Sequence, residues 1–459
     1  METSLSLWPL AILLLGTLSV VFFIVALRFP AFIALMLSAV VVGFLTPVEA
    51  SQGNAWVAAI EDAMREFGVT AGKVSFVIAI ASVLGVAMTK SGAAEKIVNA
   101  LIHVFGEKRA GLALLVAGFI LSIPVFFDTV FFLLIPLGIV LAQKTERHFL
   151  LYAMAISCGA VITHSLIPPT PGPLLMAESL DINLGLIIGV GLITGILPAV
   201  AGYKFAQRQD LKMPIAPPLL QEEDQGDAER RLPSFVMSML PIALPLLLIV
   251  IASLLSVLRP DHSDGFSKGL MFLGNKNVAM FIGLLVAMHL WAKQKNLGFR
   301  QLGTHMEKPL QIAGLIILIT SAGGAFGAMI RHTGIGEMIQ AMAENGLSIN
   351  LVMVAWVMAV VIKFAQGSGT VSVITTAGIM AAIVGTGATL PYHPIYLFLA
   401  IGYGSMVGSW MNDSGFWIVG KLCGMNERQT LHSWTLLLVV IGVTGGLQAL
   451  VLSYVLPLN

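Results

Sequence analysis

Apolar runs long enough to cross a bilayer as helices recur along the whole chain. Crossing roughly 30 Å of hydrocarbon takes about 20 apolar residues. The hydrophobic pattern predicts ten membrane spans, at about residues 7–27, 29–45, 73–90, 148–176, 183–205, 234–258, 277–293, 308–331, 394–420 and 433–456. A β-barrel would show short segments of alternating hydrophobicity instead. We therefore expect an all-α polytopic membrane protein.

Two further apolar regions have an awkward length, since residues 110–142 and 350–385 are too long for one span and short for two. Each carries polar or helix-breaking residues near its middle, namely Ser122, Pro124, Asp128 and Thr129 in the first and residues 366–370 in the second. Such an interruption is typical of a re-entrant hairpin, which enters the membrane and returns to the same side.

The charges of the loops support the hairpins. Lysine and arginine mark cytoplasmic loops, and basic residues occur at Arg28, in 90–109, at Lys144 and Arg147, in 206–232, in 293–308, and at Lys421 and Arg428. Ten spans and two hairpins place all of these loops inside and both termini in the periplasm. Counting either hairpin as a single span would reverse the sides of the loops that follow it.

A weak internal repeat divides the chain. The segment GVAMTKSGAAEKI of the first half resembles GAMIRHTGIGEMI of the second half. The segment ISCGAVITHSLIPPT likewise aligns with IGYGSMVGSWMNDSG. The predicted domains are an N-terminal repeat (1–206), a polar cytoplasmic linker (207–232) and a C-terminal repeat (233–459). Each repeat has five spans and one hairpin, so the second is inverted relative to the first. Inverted repeats with interrupted helices characterise secondary transporters.

Four interruptions of the membrane helices are candidate sites for chemistry: the tips of both hairpins and the breaks within 148–176 and 394–420. The first break is the proline-rich THSLIPPTPGPLL. Half-helix N-termini at such breaks expose N–H groups and suit an anionic substrate. The predicted substrate-binding residues at the four interruptions are Ser122, Asp128, Thr129, Thr163, His164, Thr170, Gly172, Gln366, Gly367, Ser368, Thr370, Asn412, Asp413 and Ser414.

Three of these residues are candidates for proton coupling. Asp128 and Asp413 are acids placed deep in the membrane, where an ionisable side chain indicates function by default. A structural carboxylate that caps a half-helix or pairs with Lys363 is the alternative. His164 is either a proton carrier or a hydrogen-bonded packing residue. Two interpretations of Lys363 are open. Its ammonium neutralises either a substrate carboxylate or Asp413, or its side chain extends to the outer membrane interface.

Composition narrows the class of function. The 459 residues are 57% hydrophobic and 11% charged, with a net charge of +1 and a mean hydropathy of +0.92. No basic tract favours a nucleic-acid partner. The two cysteines, Cys158 and Cys423, predict neither a disulfide framework nor a metal site. HExxH, CxxC, P-loop and GxSxG motifs do not occur, so neither an enzyme nor an ATP-driven pump is supported, and we expect no cofactor.

At these interruptions the sequence resembles the gluconate permease family (GntP type) of gluconate:proton symporters, within the ion transporter superfamily. Four blocks in order carry the resemblance: IPVFFDTVFFLLIPL, HSLIPPTPGP, AQGSGTVSV and NDSGFWIV. It implies uptake of a sugar acid or small hydroxy acid across the bacterial inner membrane, driven by protons. It also implies a scaffold domain, a moving transport domain with two hairpins, and a homodimer.

Three positions depart from the family pattern. Thr170 stands where histidine is common, Asp128 where glutamate is frequent, and Lys363 where arginine is common. Each departure changes a charge or donor at a proposed ligand site, so a carboxylate other than gluconate is an alternative substrate. A sodium-coupled carboxylate carrier and an anion channel are the alternative functions, and the inverted halves favour a carrier.

Overall fold

A computed structural model describes residues 8–46, 54–145, 148–218, 232–258, 264–335, 338, 350–385, 390–411 and 413–458. Regular secondary structure within these ranges is helical throughout, as the apolar pattern predicts.

The helices of the N-terminal half are α1 (Trp8–Val21), α2 (Ala31–Leu45), α3 (Ala55–Lys90), α4 (Ala93–Phe105), α5 (Ala110–Leu121), α6 (Phe127–Thr145), α7 (Phe149–Leu166), α8 (Pro171–Ser179), α9 (Leu184–Thr194) and α10 (Ile196–Lys212). Those of the C-terminal half are α11 (Phe235–Leu258), α12 (Gly265–Leu273), α13 (Lys276–Lys295), α14 (Phe299–Arg331), α15 (Leu351–Gln366), α16 (Gly369–Val384), α17 (Ile395–Gly404), α18 (Ser414–Leu422) and α19 (Glu427–Val455), the last containing a π-helical segment at Leu431–Thr435.

By length and hydropathy, six of the described helical segments are long enough to cross a membrane, or seven if the bent pair α12–α13 counts as one span. Helices α1, α2, α5, α6, α15, α16 and α17 contain shorter apolar segments. The span predicted at 73–90 is part of the much longer α3, which begins at Ala55. The span predicted at 394–420 consists of two short helices, α17 and α18, separated by residues 405–413. The protein is therefore an all-helical, multi-pass membrane protein.

The first hairpin, α5–α6, enters and leaves on the same side of the bundle. Gly111, at the start of α5, lies beside Leu151, at the start of α7, because a Cβ on Gly111 would be 3.3 Å from Leu151 Cγ. The starts of α5 and α7 are therefore neighbours. At the other end of α7, the ring of His164 lies 5.9 Å from the ring of Phe126, the residue before α6. Since α6 ends only a few residues before α7 begins, its far end has returned to where α5 started.

The second hairpin, α15–α16, shows the same arrangement of arms. Ser372 on α16 donates a hydrogen bond to the carbonyl of Ala359 on α15 at 2.6 Å, which ties the arms together near the tip. A Cβ on Gly323 of α14 would lie 1.9 Å from Ile374 Cγ2, and one on Gly327 2.3 Å from Gly378 Cα. From the first contact to the second, the residue numbers increase along both helices, so α14 and α16 run parallel.

Repeat-related glycines have equivalent surroundings in the two halves. A Cβ on Gly159 of α7 would lie 2.0 Å from the carbonyl oxygen of Leu115, and one on Gly404 of α17 would lie 2.6 Å from that of Trp356. In both halves the helix before the break therefore packs directly on the backbone of the first hairpin arm. Gly92 and Gly334, which the sequence repeat also aligns, share a left-handed φ of +76°. The residue boundaries of the repeats stay a prediction.

Close backbone contact between α14 and the second hairpin makes Gly327 a specific stability determinant. We expect Gly327→Ala to cost about 1–3 kcal/mol, since its methyl group overlaps the Gly378 backbone and overpacking has costs of this order. Gly314→Ala on the same helix is the matched control, because nothing lies within 4 Å of its Cβ position. Thermal unfolding of the purified variants measures both; equal melting temperatures would contradict the packing described.

Candidate functional site

One cavity collects the interrupted segments of both halves. Its volume is about 720 Å³, within the range of small-molecule sites. It is bounded by the starts of α6, α8, α16 and α18 and by an apolar wall from α14, which includes Ile312, Leu315 and Ile316. The first two of the four helix starts belong to the N-terminal half and the last two to the C-terminal half.

Four helix N-termini therefore meet at one place. Each contributes first-turn residues to the lining of the cavity, namely Phe127 to Thr129 of α6, Gly172 and Pro173 of α8, Gly369 to Val371 of α16, and Ser414 and Gly415 of α18. The N-terminus of a helix carries roughly half a positive charge and unpaired N–H groups. Together they make the cavity suited to an anion.

The tip of the first hairpin presents Asp128 and Thr129 to the cavity. Asp128 is partly exposed there, and its carboxylate has no hydrogen-bond or ion-pair partner among the described residues. At the start of α6, the first backbone N–H that makes a helical hydrogen bond is that of Val130, which donates to Phe126 O at 3.1 Å. Ser122 is fully buried behind the tip, outside the cavity lining, and its hydroxyl lacks a partner in the described structure.

The first break places His164 and Gly172 in the lining of the cavity, but not Thr163 or Thr170. The Thr163 hydroxyl donates to Gly159 O at 3.2 Å. Thr170 is buried, and its hydroxyl lies 2.9 Å from His164 O and 2.8 Å from Ile167 O, carbonyls that the end of α7 leaves without helical partners. Both hydroxyls therefore support the backbone of the break, which is a structural role.

His164 itself lines the cavity on the edge that faces Phe126. Its Nδ1 atom is buried without a hydrogen-bond partner in the described part of the chain. Gly172 has a packing reason to be glycine, because a Cβ there would lie 3.1 Å from Val373 Cγ1 on α16. The first break of one half thus packs on the second hairpin of the other.

The tip of the second hairpin is shaped by Gly367 and Ser368. Gly367 ends α15 with a φ of +83°, a conformation that favours glycine. The Ser368 side chain then accepts the N–H of Val371 at 3.3 Å and caps α16. Gly367, Ser368 and Thr370 all line the cavity. Gln366 is the last residue of α15, and its side chain lies outside the described atoms.

The second break is organised around the carboxylate of Asp413. Asp413 accepts hydrogen bonds from Lys363 Nζ at 2.6 Å, from the N–H of Gly415 at 3.0 Å and from the Ser409 hydroxyl. Ser409 is held in turn by Trp434 Nε1 at 2.7 Å. Asp413 is therefore the N-cap of α18 and one partner of an ion pair. Ser414 lines the cavity beside it, while Asn412 lies outside the described residues.

Lys363 is buried, with 4% of its side chain exposed. Besides Asp413, its ammonium contacts Gly367 O at 2.5 Å, so it closes the end of its own helix. The interpretation of Lys363 as a side chain that extends to the membrane interface is therefore wrong. The pairing with Asp413, which the sequence left as an alternative, is present.

Sequence reasoning missed several residues of the lining. These are Ser82 on α3, Ser165 next to His164, Ser405 and Met406 in the second break, and Trp434 on α19. Adjacency to His164 was a usable signal for Ser165. Nothing in the sequence distinguishes Trp434 from the other tryptophans, because its place follows from how α19 packs against the second break.

The Lys363–Asp413 pair gives a prediction for stability. Lys363→Met leaves a carboxylate unpaired in a buried position, which costs about 3–5 kcal/mol. Combining it with Asp413→Asn removes the stranded charge, so the double variant should be more stable than Lys363→Met alone. The control is Lys276→Met, which breaks the Lys276–Glu178 ion pair. Because these two side chains are 18% and 26% exposed, this variant should lose less free energy of unfolding. Thermal unfolding distinguishes these outcomes, and strictly additive losses at Lys363 and Asp413 would contradict the pairing.

Comparison with known proteins agrees with this architecture. The family described as GntP family permease matches residues 8–455. Similar relatives include a gluconate permease of Pseudomonas aeruginosa, 31% identical over 93% of this chain and 93% of the relative. Another is the Gnt-II system L-idonate transporter of Escherichia coli, 28% identical over 98% of this chain and 100% of the relative.

A solved structure shares the fold. The YdaH transporter of Alcanivorax borkumensis superposes with a TM-score of 0.66 at 15% identity, over 97% of this chain and 99% of that chain. This likeness concerns the architecture alone. The family match over nearly the whole length, together with the interrupted helices around one cavity, shows that the chain belongs to the GntP family of permeases.

Proposed function

We propose that the protein imports a small hydroxy carboxylate, with a sugar acid such as gluconate favoured, by proton symport across the bacterial inner membrane. The names of the gluconate and L-idonate relatives support this substrate class. We also infer periplasmic termini from the loop charges and expect a homodimer from the family resemblance.

The observation that carries the proposal is an unpartnered carboxylate, Asp128, in a cavity built from four helix N-termini. At three of these termini the chain itself reduces the number of free N–H groups. Asp413 caps α18, Ser368 caps α16, and prolines at positions 171 and 173 remove N–H groups from α8. The start of α6 has no such occupant in the described structure. We infer that the carboxylate of the substrate binds there, while Ser368, Thr370 and Ser414 contact its hydroxyls.

Charge balance supplies the coupling to protons. Lys363 and Asp413 neutralise each other, so Asp128 contributes the remaining ionisable acid of the lining. When Asp128 is ionised it repels an incoming carboxylate, and in a site of low dielectric this repulsion is strong. Protonation of Asp128 removes the repulsion. Binding of proton and anion is therefore mutually favourable, as reciprocal linkage requires, and uptake of one proton with each monoanion leaves the net charge of the site unchanged.

In this mechanism Asp413 holds the second break together, and Asp128 carries the proton. His164 lines the same cavity with an unpartnered Nδ1, and we assign it to proton exchange with Asp128. Thr129 and Gly172 complete the binding surface from the N-terminal half. Alternating access by motion of the hairpins and broken helices then delivers substrate and proton together.

Asp128→Asn tests the coupling. Because asparagine resembles the protonated acid in charge, the variant should still bind gluconate and exchange it across proteoliposome membranes. It should not accumulate gluconate under an imposed pH gradient, and its affinity should no longer fall as pH rises. Uptake and counterflow of labelled gluconate measure these properties.

The control is Asp181→Asn, the same chemical change at an exposed residue with a φ of +51° that asparagine also adopts. It should accumulate gluconate like the unchanged protein. Gradient-driven accumulation by Asp128→Asn would overturn the proton role. Loss of uptake when choline replaces sodium would favour the sodium-coupled alternative, and absence of trans-stimulated exchange would favour a channel.

A carboxylate requirement for binding gives a second test. Gluconate and L-idonate should raise the melting temperature of the purified protein, since a ligand that binds only the folded state stabilises it. Sorbitol, which keeps the hydroxyls but lacks the carboxylate, should not. Equal stabilisation by sorbitol and gluconate would contradict an anion site at the helix N-termini.

A further inference from the structure

A second cavity lies away from the transport site and shares no lining residue with it. Its volume is about 540 Å³, and it is an open pocket bounded by the starts of α5 and α7 and by the last turns of α10. The loop charges place these helix ends on the cytoplasmic side of the membrane. The proposed transport mechanism makes no use of this cavity.

The cavity carries excess positive charge. Lys108, Lys204 and Arg208 line it, and no acidic side chain of the described chain pairs with any of them. The acid in its lining, Asp210, is already engaged: it accepts the N–H of Leu151 at 3.1 Å and contacts His148 Nδ1 at 2.8 Å. Three basic side chains on two separate elements therefore face one space without a counterion from the protein.

Polar groups other than the cations also lack partners. Tyr152 is only 3% exposed, yet it lines the cavity, and its hydroxyl makes no hydrogen bond to the described residues. Tyr203 on α10, which is partly buried, lines the cavity beside it and also makes no hydrogen bond to the described residues. The start of α5 contributes Gly111, and no side chain caps this helix. A buried phenol, three cations and an uncapped helix start together resemble the surroundings of a bound oxyanion.

The position of the cavity favours an oxyanion that belongs to a lipid. Leu211 in its lining is 79% exposed, and Val200 on the same helix is 45% exposed, so the apolar outer surface of α10 extends to the edge of the cavity. Lys204 lies about two helical turns before the end of α10, a depth from which a lysine reaches the headgroup region. Basic pockets between membrane helices on the cytoplasmic side are suited to lipid phosphates.

We propose that the cavity between α5, α7 and α10 binds a phosphate group on the cytoplasmic side, through Lys108, Lys204, Arg208 and the Tyr152 hydroxyl. The source is either the headgroup of an anionic phospholipid or a soluble phosphate ester, and the apolar surface at the edge of the cavity favours the lipid. Bound there, the ligand bridges the first hairpin, the first broken helix and the span that follows them.

The experiment measures melting temperatures of the purified full-length protein in detergent at constant, low ionic strength. Phosphatidylglycerol is added in one arm, phosphatidylcholine in a second, and glycerol 1-phosphate in a third. A shift of several degrees with phosphatidylglycerol alone supports the lipid source, and a shift with glycerol 1-phosphate supports the soluble one. Absence of a shift in both of these arms would overturn the proposal, as would an equal shift with phosphatidylcholine.

Variants locate the site. Removing two cations by Lys204→Gln with Arg208→Gln should weaken phosphatidylglycerol binding about 30-fold. Lys212→Gln is the matched control, since it removes an exposed charge from the same end of α10 but does not line the cavity. Lys108→Gln, before α5, is an independent variant should the double one not fold. An undiminished phosphatidylglycerol shift in the folded double variant, or in Lys108→Gln if that is the one used, would overturn the assignment.

Discussion

Backbone polar groups without partners are costly in hydrocarbon, and this constraint governs where the chain is allowed to depart from a helix. The described structure departs from it at four places around one cavity, and three of these are held by specific side chains. Thr170 contacts carbonyls at the end of α7. Lys363 contacts the carbonyl of Gly367 at the end of α15, and Asp413 caps α18. Side chains of the protein therefore fix the backbone at these three interruptions. The helix N-termini that follow them face the cavity.

Close approach between helices is what brings the four interruptions together. Gly159 and Gly404 let each broken helix lie against the backbone of a hairpin arm, and Gly172 lets the first break lie against the second hairpin. A bulkier residue at any of these positions would separate elements that must share one cavity. Packing between membrane helices depends on such small residues, because there is little hydrophobic driving force between helices in lipid. The glycines thus link the stability of the bundle to the geometry of the site.

The sequence predicted the helical class, the two hairpins and both breaks, because these follow from hydrophobic length and from prolines and glycines. It also predicted nine residues that line the cavity, among them Asp128, His164 and Asp413. It did not predict that Thr163 and Thr170 serve the backbone, since a hydroxyl beside a break looks the same whether it faces a ligand or a carbonyl. Nor did it predict the contribution of Trp434, which depends on tertiary packing. The departure at Thr170 consequently lies at a residue that supports the break and that is not in the lining of the cavity.

The two membrane acids differ in their surroundings. Asp413 has a lysine, a hydroxyl and a backbone N–H around its carboxylate, so it is one partner of an ion pair and also caps α18. Removing it would leave Lys363 unpaired in a buried position. Asp128 has no such partners in the described structure and lies at the uncapped start of α6. In the proposed mechanism a proton on Asp128 breaks no contact within the described structure, whereas the ionised form faces the cavity proposed to receive the substrate carboxylate. The proposal thus gives the two acids of the lining different tasks, with Asp413 holding the second break and Asp128 carrying the proton.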